Sequence, residues 1–501
     1  MFDGLINFIR KVGVKMGLIQ ELGTIGALKD VKLSEGMHNY IYKWRALHAG
    51  KLKDIHTLNY MTIAGPQCRD IATLQTPKVL VQEMAKLIFN ERCTITISEE
   101  DKKESVFADY IGGVLDDNKF YSVFQEKLEF MFAQGGLVIK PYVKNGKIKL
   151  GYATADTFYP IQWDDTRIYG GLFVSEVMVR GKCYVHLEYH RYKEDGRYWI
   201  EHKAYAKEFE KITNEVPMST IYPNLPVEIS FETDVPLFVY IKPNIANNID
   251  PTSPLGISIY ANSLDTIKSL DTAFDSFTRE YRLGRRRMIV GPSMIKVAGS
   301  GMSGAPRLYV DDTEEYYEAL NGDLDNEPFK EIASNLRINE HIQGINANLA
   351  ILSLQTGFDP SSFSFEKSGL KTATEVVSEN SRTFKTKQSH ENVIEGGLTD
   401  LVACIAAVAK INNLPIAIPE HYDVSVFFDD SIANDRMADI TEQATLVTNR
   451  FQSRQRAIEK LFGYTPEEAL KLMAEIDSEE AGGSTELEDY IASQEIFGEI
   501  E

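Results

Sequence analysis

Residues 253–284 read SPLGISIYANSLDTIKSLDTAFDSFTREYRLG. Tyr260, Leu264, Ile267, Leu270, Phe274, Phe277 and Tyr281 fall at steps of three or four, the stripe of an amphipathic helix. Ser253 as N-cap and Pro254 at the first helical position predict a start there, which makes a rod of roughly 45 Å at 1.5 Å per residue. A second stripe, Ile338, Ile342, Ile345, Leu349 and Leu352, begins near Ser334, with Gly357 as its stop. Two long helices therefore bracket an insert of about fifty residues, β-rich through MIVGPSMIKVAGSGMSGAPRLYV (288–310) and acidic through DDTEEYYEALNGDLDNEP (311–328).

Upstream, residues 35–135 have mostly helical spacing. Val81, Met84, Ala85 and Ile88 lead into a strand over Cys93–Ile97, and Phe120, Val123, Phe124, Leu128 and Met131 repeat the helical stripe. From 137 to about 242 the period becomes two. Asn145-Gly146, Gly181-Lys182 and Asp195-Gly196 read as turns of an antiparallel meander with polar faces. Downstream, FDPSSFSFEKSGL (358–370) has no regular pattern, and Thr372 with Glu375 forms a capping box for a long helix to about Asn412. A further helix spans about 436–462, and Thr465, Pro466, Glu467 and Glu468 cap a last short one. From Leu472 onward there are ten acidic residues and no basic ones, the composition of a disordered tail.

The chain has 501 residues and a formal charge of −20, which excludes a protein built to grip a nucleic acid through a basic domain. Its four cysteines, Cys68, Cys93, Cys183 and Cys404, share no short spacing and read as reduced thiols rather than zinc ligands or disulfides. The N-terminus lacks the basic-then-apolar order of a secretory signal. Phe2, Leu5, Ile6 and Ile9 are read as packing on protein, and no membrane partner is expected.

Three patterns invite an enzymatic reading. Gly299-x-Gly301-x-x-Gly304 follows a strand, but Pro306 and the alternating RLYV put a second strand where a dinucleotide site needs a helix N-terminus. A hairpin tip fits better. The chain also lacks the catalytic-loop and metal-binding elements of a kinase. His186, Glu188 and His190 share one strand face, so a metal-dependent enzyme is the alternative class, against a wet polar face as the ordinary explanation. Arg279, Arg282, Arg285, Arg286 and Arg287 close the first long helix, where cations complement the negative end of its dipole. They could also pair with Asp311, Asp312, Glu314 and Glu315 of the same or a neighbouring copy. Interface pairing or partner binding is preferred to sequence-specific DNA reading.

This order of parts resembles the portal proteins of tailed bacteriophages, in particular those of phages infecting Gram-positive bacteria. The resemblance is carried by residues 241–291, by SGLKTATEVVSENSRTFKTKQ (368–388) and VFFDDSIANDRMADI (426–440), and by LIFNERCTITIS (87–98) and TADTFYPIQWD (154–164). It implies a mainly helical α+β portal fold with wing, stem, clip and crown regions. The wing is expected at 1–250, the first stem helix at 251–284, the clip at 285–333 and the second stem helix at 334–356. A tunnel loop follows at 357–371, then a long helix, wing return and crown at 372–470, and the acidic tail at 471–501.

The implied function is structural, with no cofactor or catalytic residue. A homo-oligomeric ring of about twelve copies stands at one capsid vertex, assembled in the host cytoplasm, and double-stranded DNA passes through it without sequence reading. The implied partners are the terminase large subunit, a head-completion adaptor, and the major capsid and scaffolding proteins. An acidic wall suits a conduit, since it traps few phosphates. Lys367 and Lys371 are candidate transient DNA contacts in the tunnel loop, and the five arginines fall at the junction of stem and clip. Another capsid-associated connector is a second alternative.

Overall fold

A computed structural model describes residues 35–62, 65–90, 92–99, 105–208, 211–284, 287–290, 296–298, 307–309, 317–319, 329–332, 335–365, 381–429, 436–462 and 469–476. The chain divides into two compact units, one of residues 1–367 with 382–429 and the other of 368–381 with 430–501. The class is mixed α+β.

Among the described residues of the first unit come, in order, helices α1 (Glu35–His48) and α2 (Lys53–His56), a hairpin of β1 (Thr57–Thr62) and β2 (Gly65–Asp70), and α3 (Thr76–Ile88). Strand β3 (Thr94–Ser98) then precedes α4 (Val106–Asp117) and α5 (Phe120–Gln134). The β1–β2 hairpin lies inside a region expected to be mostly helical. Trp44, Met84, Ile88, Phe120, Phe124 and Leu128 are fully or almost fully buried in the core that these helices share.

Strands β4 (Leu137–Lys144) and β5 (Lys147–Thr154) form the expected hairpin. Its Asn145-Gly146 corner has φ of 52° and 73°, the paired positive values of a type I′ turn. Then come β6 (Phe158–Trp163), β7 (Ile168–Val179), β8 (Lys182–Tyr192), β9 (Tyr198–Glu208) and β10 (Lys211–Val216), followed by β11 (Glu228–Phe231) and β12 (Val239–Ile241). These strands make two sheets rather than one. One runs β10-β9-β8-β7-β6 with β11 also on β9, and the other runs β12-β4-β5. The β7–β8 corner is Arg180-Gly181, one residue before the expected Gly181-Lys182. Val179 pairs with Lys182, so the two positive φ values of the turn fall at 180 and 181.

The first long helix, α6, spans Leu264–Leu283, about 30 Å at 1.5 Å per residue. It does not start at Ser253. Residues 253–263 run as irregular backbone with Leu255, Ile257 and Tyr260 buried. Tertiary contacts hold them there: Ile259 N and Ser258 Oγ donate to the Phe132 carbonyl, and Tyr260 Oη donates to the Trp44 carbonyl at 3.0 Å. The described part of the insert contains β13 (Arg287–Val290), β14 (Lys296–Ala298), β15 (Arg307–Tyr309), β16 (Tyr317–Ala319) and β17 (Phe329–Ile332). Strand β13 lies between β16 and β17, and β14 pairs antiparallel with β15.

Helix α7 spans Ile338–Thr356 and stops at Gly357 in the left-handed region, φ 86°. Helix α8 (Ser381–Ile411) is long and apolar enough to cross a membrane by composition. Its Leu398, Leu401, Ile405 and Ala409 are instead buried in the main core. Strand β18 (Asp423–Phe427) returns to pair with β3.

In the second unit the expected single helix over 436–462 is two, α9 (Arg436–Thr448) and α10 (Arg454–Phe462). Arg450 adopts φ 60° between them, and the Ser453 hydroxyl accepts from Arg456 N at the start of α10. Residues 469–476 are helical, so the expected disordered tail at 471–501 does not begin at 471. Ala469 is buried and Leu472, Met473 and Ile476 are half-buried, an apolar stripe at helical spacing that overrides the acidic composition there.

Candidate functional site

Helices α6 and α7 run in opposite directions, with the last turn of α6 against the first turn of α7. Ile267 and Leu270 on α6 and Ile345, Leu349 and Leu352 on α7 are buried. At the insert end, Glu280 on α6 accepts from Arg337 Nε at 3.2 Å and Nη2 at 3.1 Å, and from Arg337 N at 3.3 Å. His341 Nε2 lies 3.7 Å from the same carboxylate. These contacts, Arg337 first, hold the Glu280 carboxyl down to about 2. A Cβ on Gly284 would lie 2.4 Å from Leu336 Cδ2, so the two chain segments entering the insert touch closely.

Of the five arginines, Arg279 and Arg282 are exposed on α6 and take no part in that clasp. Arg287 begins β13, and Arg285 and Arg286 lie outside the described residues. The structure places Arg279 and Arg282 at the insert end of α6 and Arg287 at the start of β13, while Asp311, Asp312, Glu314 and Glu315 lie outside the described residues. The glycine motif at 299–304 does too, but the strands on either side of it pair antiparallel, as a hairpin does and a dinucleotide-binding strand and helix do not.

The other half of α6 is held by two carboxylates that sequence reading missed. Asp271 accepts from Thr73 Oγ1 and Leu74 N, both at 3.0 Å, and lies 3.4 Å from His56 Nε2. Asp275 is gripped by Arg69 through both terminal guanidinium nitrogens, at 2.9 and 2.5 Å, and accepts from Ala72 N. Burial raises the pKa of Asp271, whereas the Arg69 bonds lower that of Asp275. The signal was present in the sequence. Asp271 and Asp275 are four apart on the same stripe as Ile267, Leu270 and Phe274, where a carboxylate needs a partner.

After α7, Gly357 comes close to α8: a Cβ there would sit 2.6 Å from Thr386 Cγ2. Asp359 N donates to Thr383 Oγ1 at 2.9 Å, and Asp359 Oδ2 accepts from Thr383 N and Oγ1 at 3.0 and 2.8 Å. Phe358 is buried beside this link. The loop therefore leaves a fixed root at 357–359. Lys367 and Lys371, and the capping box at Thr372 and Glu375, lie outside the described residues.

The face carrying His186, Glu188 and His190 is buried, not wet, with all three at most 3% exposed. Strand β4 supplies the reason. Lys140 Nζ lies 2.7 Å from both Glu188 carboxylate oxygens, and His190 Nε2 lies 2.8 Å from Oε1. His190 Nδ1 meets Tyr198 Oη at 2.9 Å, and His186 Nε2 meets His202 Nδ1 at 3.1 Å. Burial lowers His186 to about 3 and His202 to about 4, and the Lys140 ammonium keeps Glu188 ionised. A cation already occupies the carboxylate that the metal reading requires. The described residues contain no group of three or more His, Cys, Asp and Glu fit to hold a metal. A cavity of about 280 Å³ opens beside the cluster, walled also by Leu225, Ile229 and Val408.

A family model described as "Phage portal protein, SPP1 Gp6-like" matches residues 44–483. Among solved structures, the chain is similar to one titled "Neck of empty GTA particle computed with C6 symmetry", at 10% identity and TM-score 0.39, covering 78% of this chain and 90% of that one. A search of curated proteins returns no match.

Proposed function

We propose, from the premise that this chain belongs to the SPP1 Gp6-like family of phage portal proteins, that it forms a ring of about twelve copies at one capsid vertex and conducts double-stranded DNA in packaging and ejection. Family membership supports a structural portal connector, an oligomeric ring and a place in the virion. The finer reading assigns α6 and α7 to the stem, residues 285–333 to the clip, 357–371 to the tunnel loop, 1–250 to the wing and the helices after about 400 to the crown. The observation that supports it best is the antiparallel α6–α7 pair, clasped by Glu280 and Arg337 at the root of a small β-rich insert.

In this reading the clip meets the terminase large subunit during packaging and a head-completion adaptor afterwards, and ATP hydrolysis belongs to the motor. Major capsid and scaffolding proteins surround the wing. A chain of charge −20 offers passing phosphates a mostly repulsive wall, so DNA is not held by released counterions. Lys367 and Lys371 would then give brief phosphate contacts on a loop rooted at Asp359 and Thr383. The arginines at 279, 282, 285, 286 and 287 would bind a neighbouring copy or the motor.

The test is nuclease protection. Proheads assembled with this chain, motor and ATP should protect genomic DNA, and proheads lacking it should protect none. Equal protection without it would reject the conduit.

A further inference from the structure

The β1–β2 hairpin grips α6 through Arg69, and its exposed apolar side chains serve no role in that grip. Among the described residues it is two-stranded and pairs with no other strand, with register running from Thr57 opposite Asp70 to Thr62 opposite Gly65. An isolated two-stranded hairpin in water is marginal unless one face is covered. Here both faces carry exposed apolar side chains: Met61 is 77% exposed, and Leu58 and Tyr60 are each 42% exposed. Cys68, opposite Asn59 and on the Met61 face, is exposed as well.

Two further observations say what covers it. Residues 57–68 contain no charged side chain, although the chain carries a net −20. Copies of such a chain repel one another where acidic surfaces meet, so an uncharged surface is where they can close without opposing like charges. The hairpin is also rigidly mounted. Arg69 on β2 grips Asp275 of α6 through two hydrogen bonds, and Asp271 one helical turn earlier holds Thr73 and Leu74 just beyond the hairpin. A head-to-tail contact closes into a ring only if every copy meets the next at the same angle, and an arm fixed to a long helix supplies that constancy.

We propose that the β1–β2 hairpin is an intersubunit arm, whose uncharged outer face of Asn59, Met61, Pro66 and Cys68 docks on the next copy of this chain. The proposal rests on the ring reading. Its test uses the full chain and three variants: Met61→Asp, Asn59→Asp, and Met178→Asp as a control at an exposed methionine of β7. Mass photometry gives the ring fraction, a fluorescent maleimide reports Cys68 access in separated rings and monomers, and circular dichroism melts check the fold.

The expected result is a ring fraction reduced at least tenfold by each hairpin variant and unchanged by the control, with unaltered melts and slower Cys68 labelling in rings than in monomers. Wild-type and variant rings of equal abundance, with Cys68 labelled equally fast in ring and monomer, would overturn the arm and leave the ring reading standing. Normal rings from the hairpin variants that fail only to enter capsids would assign the hairpin to a capsid protein and overturn the second copy as its occupant. A wild-type chain that never leaves the monomer would overturn the ring reading and the arm together.

Discussion

Gly135 and Gly256 meet backbone to backbone. A Cβ on Gly256 would lie 2.3 Å from the Gly135 carbonyl oxygen, and one on Gly135 would lie 2.5 Å from that of Gly256. Gly135 also closes α5 at φ 86°, a conformation that side chains disfavour. This contact holds residues 253–263 against α5 and delays the start of α6 to Leu264. Gly256→Ala should therefore lower stability by about 3 kcal/mol, since neither backbone can give way cheaply. Urea denaturation of the purified variant measures it, and a loss under about 0.5 kcal/mol, the range of ordinary surface changes, would show that the approach is loose.

The buried pair Lys140 and Glu188 makes a sharper prediction. Glu188→Gln leaves the Lys140 ammonium buried without its counter-charge, and a broken buried pair costs about 3–5 kcal/mol. Replacing both, as Lys140→Met with Glu188→Leu, should recover at least half of that loss, because an apolar pair of similar size avoids the desolvation cost. If the double variant is less stable than Glu188→Gln alone, measured in the same denaturation series, the pair stabilises the sheet in its own right.

Acid should act on the same cluster. His186 is lowered to about 3 and His202 to about 4, while burial alone lowers His390 to about 4. In the unfolded chain histidine titrates near 6.5. Between about pH 6.5 and 4 the unfolded state binds more protons, so these groups confer stability that is full above 6.5 and declines as the pH falls. The slope approaches about 1.4 kcal/mol per pH unit for each histidine. Asp156 and Asp271, raised by burial, oppose this at the acid end. Melting temperature measured in steps from pH 7.5 to 4 should fall, and His202→Asn should flatten the curve. A flat wild-type curve would contradict neutral buried histidines.

Several of these features were legible in the sequence, and the exceptions share a cause. The two apolar stripes gave α6 and α7, and Asn145-Gly146 gave its turn, because periodicity and turn chemistry are local. The helix start at Ser253 and Pro254 failed because a local cap signal was outweighed by contacts with Gly135, Phe132 and Trp44, more than a hundred residues earlier. Period two correctly placed His186, Glu188 and His190 on one face. Whether that face is wet depends on Lys140 in another sheet, which no local pattern reports. Asp271 and Asp275 were passed over because the apolar residues beside them dominated the stripe.

For the arginines, the expectation concerns assembly. Arg285→Glu, Arg286→Glu and Arg287→Glu together should weaken ring formation or motor docking without unfolding the chain. Packaging efficiency in complemented phage, alongside the ring fraction of the purified protein, separates the two roles. Normal packaging by the triple variant would remove the cluster from both.

The loop rooted at Asp359 allows a clean deletion. Removing residues 360–366 spares the Asp359–Thr383 link and should leave rings intact, while DNA translocation or retention fails. Filled heads in wild-type numbers would dissociate this loop from the tunnel.

This acidic chain is expected to close into a channel. Mass measurement and negative-stain imaging of the purified full-length protein test it most directly. The account predicts closed rings of about twelve subunits around an open centre, and a protein that remains monomeric or dimeric at every salt concentration, and with its scaffolding partner present, would contradict it.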